Sequence, residues 1–124
     1  MKHSESQQAM QITISQPVID QVVRGIMENF PEASQGCALR CVGWKYDAMR
    51  FRFEDGETGE TYALDQPKLL AAFRLLFTDK WPKGCQPPPA ADDAERWDDW
   101  LCRCDAVDFD AFAQLACLGE VIYG

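Results

Sequence analysis

Histidine is nearly absent from this 124-residue chain: the single one, His3, lies in a polar opening segment. That removes imidazole acid–base chemistry and most histidine-ligated metal sites from consideration. Positive charge is in deficit, with 12 Lys and Arg against 20 Asp and Glu and a formal net charge of -8. A surface built for phosphate backbones is usually basic, so direct nucleic-acid binding is not expected. Long hydrophobic runs are missing too. No stretch approaches the roughly 18 consecutive apolar residues of a membrane span, and no membrane association is expected. The opening MKHSESQQA lacks the apolar centre of a secretory signal, which points to the cytoplasm.

What is present is enough for a core. Hydrophobic residues make up 47% of the chain, and the length suits one domain of roughly 100–150 residues. The six cysteines, Cys37, Cys41, Cys85, Cys102, Cys104 and Cys117, are read as reduced, small buried hydrophobes. Their spacing does not suit a zinc site: Cys37 and Cys41 on one strand would stand about 13 Å apart. On a helix, Cys102 and Cys104 would diverge. A catalytic thiolate would need a neighbouring base or cation that the chain does not obviously supply. No metal and no cofactor are expected.

The patterning predicts an α+β fold, a three-stranded antiparallel sheet packed by about four helices in a single domain covering 1–124. Residues 1–9 read as a flexible tail. Met10, Ile12 and Ile14 alternate with polar residues as an extended lead-in. Ser15 is the expected cap of a helix over 16–29, stopped by Pro31. Strands are predicted over 37–44, along Met49, Phe51 and Phe53, and over 61–64. Arg50 and Arg52 would lie on the wet face of the middle strand, opposite the aromatics rather than beside them. Asp65 should cap a helix over 66–77. The stretch 80–91, with Pro82, Gly84 and Pro87-Pro88-Pro89, reads as a loop and a candidate hinge. An acidic helical part follows over 92–124: an amphipathic helix over 92–104, then a helix capped by Asp108 and closed by Gly119. The last residues, too apolar to hang free, would add to the sheet or cover its edge, with Tyr123 as anchor.

Charge is unevenly spread. Residues 1–90 hold 11 acids and 10 bases, whereas 91–124 hold 9 acids and 2 bases. The densest carboxylates, Asp92, Glu95, Asp98 and Asp99, follow helical spacing and not the alternate-position spacing of a calcium loop. Of the four tryptophans, Trp81, Trp97 and Trp100 adjoin this acidic region, and tryptophan is enriched at binding hot spots. Asp92, Glu95, Trp97, Asp98, Asp99, Trp100 and Trp81 are therefore the candidate partner-binding residues.

The ending Gln114-Leu115-Ala116-Cys117-Leu118-Gly119-Glu120-Val121-Ile122-Tyr123-Gly124 resembles that of small phage and prophage proteins of unknown function. Those close on Gln-x-Ala-x-Phe-Gly-Glu-Ile/Val-Val-Tyr-Gly after an acidic helix. Leu118 takes the place of the Phe, and the order of Gly43-Trp44, the short strands and the Leu-rich helix after Asp65 is loosely similar. The resemblance implies a phage or prophage origin and no known activity. Together these features lead to the expectation of a non-enzymatic protein-binding module or inhibitor that meets a basic protein with its acidic helical face. The other readings are a homo-oligomeric structural component and a carboxylate- or metal-dependent enzyme.

Overall fold

A computed structural model describes residues 13–124, so Met10 and Ile12 of the extended lead-in lie outside it, as does the 1–9 segment. The first helix, α1 (Gln16–Ala33), buries Val22, Val23, Ile26, Met27 and Phe30, the i, i+4 stripe of its sequence. It runs four residues past the expected end and through Pro31. Proline removes one amide donor and crowds the carbonyl one turn back. Here it falls in the last turn, where Ser34 N still donates to Phe30 O at 3.1 Å. Phe30 pins that turn to the core, its ring edge-on to Phe51 and Phe53 at 5.4 and 5.1 Å.

The sheet is an antiparallel meander of β1 (Leu39–Lys45), β2 (Arg50–Asp55) and β3 (Thr61–Leu64), in the order β1-β2-β3. A short 3-10 turn, Tyr46–Ala48, joins the first two. It ends in Met49, which stands before β2 in the left-handed region (φ 52) rather than in the strand. Cys37 precedes β1, and its thiol donates to Ala33 O across 3.5 Å, so Cys37 and Cys41 do not share a strand.

The register of β1 on β2 shifts between Cys41 and Gly43. Cys41 stands opposite Phe53, but Gly43 stands opposite Arg52 and Lys45 opposite Arg50. Val42 is thus the extra residue of a bulge, and side-chain alternation restarts one place later. Without it Trp44 would share the arginine face. With it, Lys45 does, and Trp44 moves to the Phe51 side.

Asp65 caps α2 (Gln66–Leu75), accepting from Lys68 N at 3.2 Å. This helix ends two residues before the expected Phe77, because Leu76 N and Phe77 N bond to carbonyls three residues back and tighten the chain into turns. Asp93 caps α3 (Ala94–Arg103). The cap of α4 (Ala106–Leu118) is Asp105 and not Asp108. Asp108 sits at the third helical position and completes the reciprocal pair, its Oδ2 accepting from Asp105 N at 2.9 Å. Gly119 ends α4 with φ 79, where a side chain would be strained.

Both α1 and α4 pack on the inner face of the sheet, while α3 packs on α1. Gly25 makes that last contact close: a Cβ there would stand 2.7 Å from Leu101 Cδ1. The core joins Phe30, Phe51, Phe53, Phe73, Trp97, Trp100 and Phe112. The tail forms no strand and does not extend the sheet. It folds back on α4, where Gln114 Oε1 accepts from Ile122 N and Tyr123 N at 2.8 and 2.9 Å. Tyr123 does anchor it, donating its hydroxyl proton to Asp55 Oδ2 at 2.7 Å.

Candidate interaction surfaces

The acids expected at the partner surface are all exposed: Asp92, Glu95, Asp98 and Asp99, with the capping Asp93 beside them. Two of them also have internal work. Asp92 Oδ1 accepts from the amide and hydroxyl of Ser15, both at 2.9 Å. Ser15 therefore occupies the cap position of α1 without capping through its side chain. Asp98 Oδ1 accepts from Gln21 Nε2 at 2.8 Å. These bonds lace α3 to α1, and they hold the two carboxylates in fixed positions. Glu95 and Asp99 make no side-chain hydrogen bond within the described residues. Asp99 lies between Arg96 and Arg103 beside the proline run, so that flank of α3 is mixed in charge.

The tryptophans do not belong to this surface. Trp97, Trp100 and Trp81 are 0%, 1% and 7% exposed, which corrects the expectation that they serve as contact residues. Indole goes fully inside when its N–H finds an acceptor. The loop 80–91 supplies those acceptors. Trp81 Nε1 and Trp100 Nε1 both donate to Gln86 O, at 2.9 and 3.0 Å, and Trp97 Nε1 donates to Ala91 O at 2.9 Å. Gln86 N in turn donates to Asp108 Oδ1 at 2.9 Å. The stretch expected as a hinge is a strap fastened to α3 and α4. The exposed tryptophan is Trp44, at 55%, beside Pro31 at the end of α1.

Sequence patterning placed Arg50 and Arg52 on a wet face but missed what joins them. Lys45 stands opposite Arg50, and Lys68, at the start of α2, donates to Ala63 O at 2.9 Å on the neighbouring strand. Gly43 and Ala63 flank Arg52 on either side. The result is a shallow, mainly basic groove of about 570 Å³ on the outer side of the sheet, its lining shared with Trp44, Phe51 and the acidic Asp65. Only the bulge, for which Gly43 inside the strand was the available sequence signal, brings Lys45 to this face.

A second concavity, about 590 Å³, lies between the start of β1, α4 and the tail. Ala38, Ala106, Val107, Ala111 and Val121 line it, with Cys37, Glu57, Cys85, Asp110 and Tyr123 as its polar members. Asp110 Oδ2 accepts from Gln114 Nε2, but Oδ1 is buried with no partner among the described residues. Burial pushes the Asp110 carboxyl above its ordinary range. Burial first, and then the charge of Asp110, raise the Cys37 thiol. Cys85 and Cys104 are pushed up to about 12 by burial, reinforced by Asp108 and Asp105. Cys117 also reaches about 12, through burial. Such thiols are protonated, not nucleophilic.

Among the described residues no three metal-ligating side chains converge, and no helix is long and apolar enough to cross a membrane. Compared with protein-family models, curated proteins and solved structures, the chain matches none.

Proposed function

We propose that this protein is a non-enzymatic binding module, cytoplasmic and of phage or prophage type, that engages a basic protein through the exposed acids of α3. The observation that carries the reading is the mounting of those acids. Glu95, Asp98 and Asp99 stand on, and Asp92 just before, a helix whose underside is the interlocked pair Trp97 and Trp100, with ring centroids 5.2 Å apart and nearly perpendicular. A surface held in place before binding loses less freedom on association than a mobile one. Concentrated negative charge steers a basic partner and sets the association rate. The contact residues are the carboxylates, without the tryptophans beneath them. Inhibition of a basic toxin, or occupation of a nucleic-acid-binding protein's site, belongs to the same class.

Glu95→Lys with Asp99→Lys tests the reading, because neither side chain holds the fold together. Capture of a basic protein from host lysate should weaken sharply with salt and drop at least roughly tenfold in the double variant. Equal capture by a variant with an unchanged melting temperature would sink the proposal.

A further inference from the structure

Among the described residues no helix lies over the outer face of the sheet, and the charge of that face is opposite to that of α3. We propose that this face docks the acidic side of α3 from a second copy of the chain, giving weak head-to-tail self-association.

Among the described residues the cations of this face meet no carboxylate in an ion pair, although Lys68 Nζ donates to Ala63 O. The one ion pair among the described residues joins Arg40 to Glu54 at 3.6 Å, farther along the ladder. Lys45, Arg50, Arg52 and Lys68 are exposed and form none. The groove between them is low because Gly43 and Ala63 carry little or no side chain. The Arg52 guanidinium lies over Gly43, 3.7 Å from where a Cβ would be. Shape agrees with charge. A helix of 10 residues such as α3 is about 15 Å long and about 10 Å wide. A six-residue strand such as β2 spans about 20 Å, and three strands cover about 10 Å across.

The two faces cannot neutralise each other within one chain. The sheet turns its inner face to α1 and α4, and α3 is docked on α1, so the basic and acidic surfaces are separated by the core. A second copy brings them together. Single-stranded nucleic acid fits the groove less well, because a net charge of -8 repels a phosphate backbone from the chain as a whole. The contact joins unlike faces, so it does not close on itself and adds copies in a row. The small area implies a weak association, seen only at high concentration. The proposal shares the α3 face with the function above but does not depend on it.

Sedimentation equilibrium of the whole chain tests this. At low salt the average mass should rise with concentration, and at about 1 M salt, where the screening length is ~3 Å, it should return to one copy. Arg50→Gln with Arg52→Gln removes two of the four cations of the basic face, and Glu95→Gln with Asp99→Asn removes two of the four acids of the other. Each double variant alone should associate roughly tenfold more weakly than the parent. Mixed together, they retain one good pair of faces and should form a complex of two copies and no more. A parent chain that stays monomeric at low salt and high concentration overturns the proposal. So does association as strong as the parent's in the Arg50→Gln, Arg52→Gln variant, or a mixture that forms no complex. Capture of a basic partner by the Arg50→Gln, Arg52→Gln variant should remain intact, which separates failure here from failure of the functional reading.

Discussion

Gln114 is fully buried, yet both atoms of its amide are used. Nε2 donates to Asp110 Oδ2 and to Tyr123 O, and Oε1 accepts two amides of the tail. Gln114→Leu keeps the volume and strands the tail amides. An unsatisfied buried group costs about 1–3 kcal/mol, so the urea midpoint should fall with little change in slope. The tail's other bond has a pH signature. The hydrogen bond from Tyr123 holds the Asp55 carboxyl below its ordinary value, and the same bond pushes the Tyr123 phenol up to about 12. A phenol raised on folding stabilises the native state fully below about pH 10, its unfolded value, and that contribution is lost between there and about 12. A carboxyl lowered on folding stabilises above its unfolded value of about 3.9 and loses that effect as pH falls through its folded one. Stability measured against pH should fall at both ends, and less steeply in Tyr123→Phe. Asp110 behaves in the opposite sense. Its carboxyl is raised by burial, so the native state gains as the group protonates and loses as pH rises through its folded value. Asp110→Asn should therefore raise the melting temperature at pH 7 by a few degrees, roughly 1 kcal/mol, and the gain should shrink in acid.

Among the elements, the contrast lies between tryptophans. Trp100→Ala opens a core cavity and should cost about 3–5 kcal/mol, whereas Trp44→Ala should stay within roughly 0.5 kcal/mol, both read by denaturant unfolding. The strands were legible because Phe51 and Phe53 alternate with arginines, and α2 because Asp65 and Pro67 mark its start. These are local signals with local causes. Errors arose where a distant contact decided the matter. Phe30 packs on the sheet and carries α1 through Pro31. Asp108 resembles a cap in sequence, but Asp105 takes that place and Asp108 answers it, while also holding Gln86 of the loop. Helical spacing put Trp97 and Leu101 on one side of α3 and Glu95 and Asp99 on the other. It could not reveal that carbonyls from the proline loop would satisfy the indoles and let them sink out of reach. The acidic half of the candidate surface was thus legible and the aromatic half was not. The basic groove depended on a bulge at Val42, a feature of pairing rather than composition.

Seen whole, the molecule separates its charge. An acidic excess across 91–124 surrounds α3, and a basic patch sits on the far side of the core, behind a net charge of -8 that gives no hint of it. On the proposed reading, charge reversal at Glu95 and Asp99 should slow association with a basic partner more than it speeds dissociation, measurable by stopped flow at several salt concentrations. The burial of Trp81, Trp97 and Trp100, against the exposure of Trp44, has an optical consequence. Three indoles emit from a dry interior, hydrogen-bonded to carbonyls. The fourth emits from water at the margin of the sheet, at longer wavelength and within reach of iodide or acrylamide. The native chain thus carries two separable fluorescence populations: a red, quenchable one that reports on the sheet's edge, and a blue, protected one that changes only when the core opens.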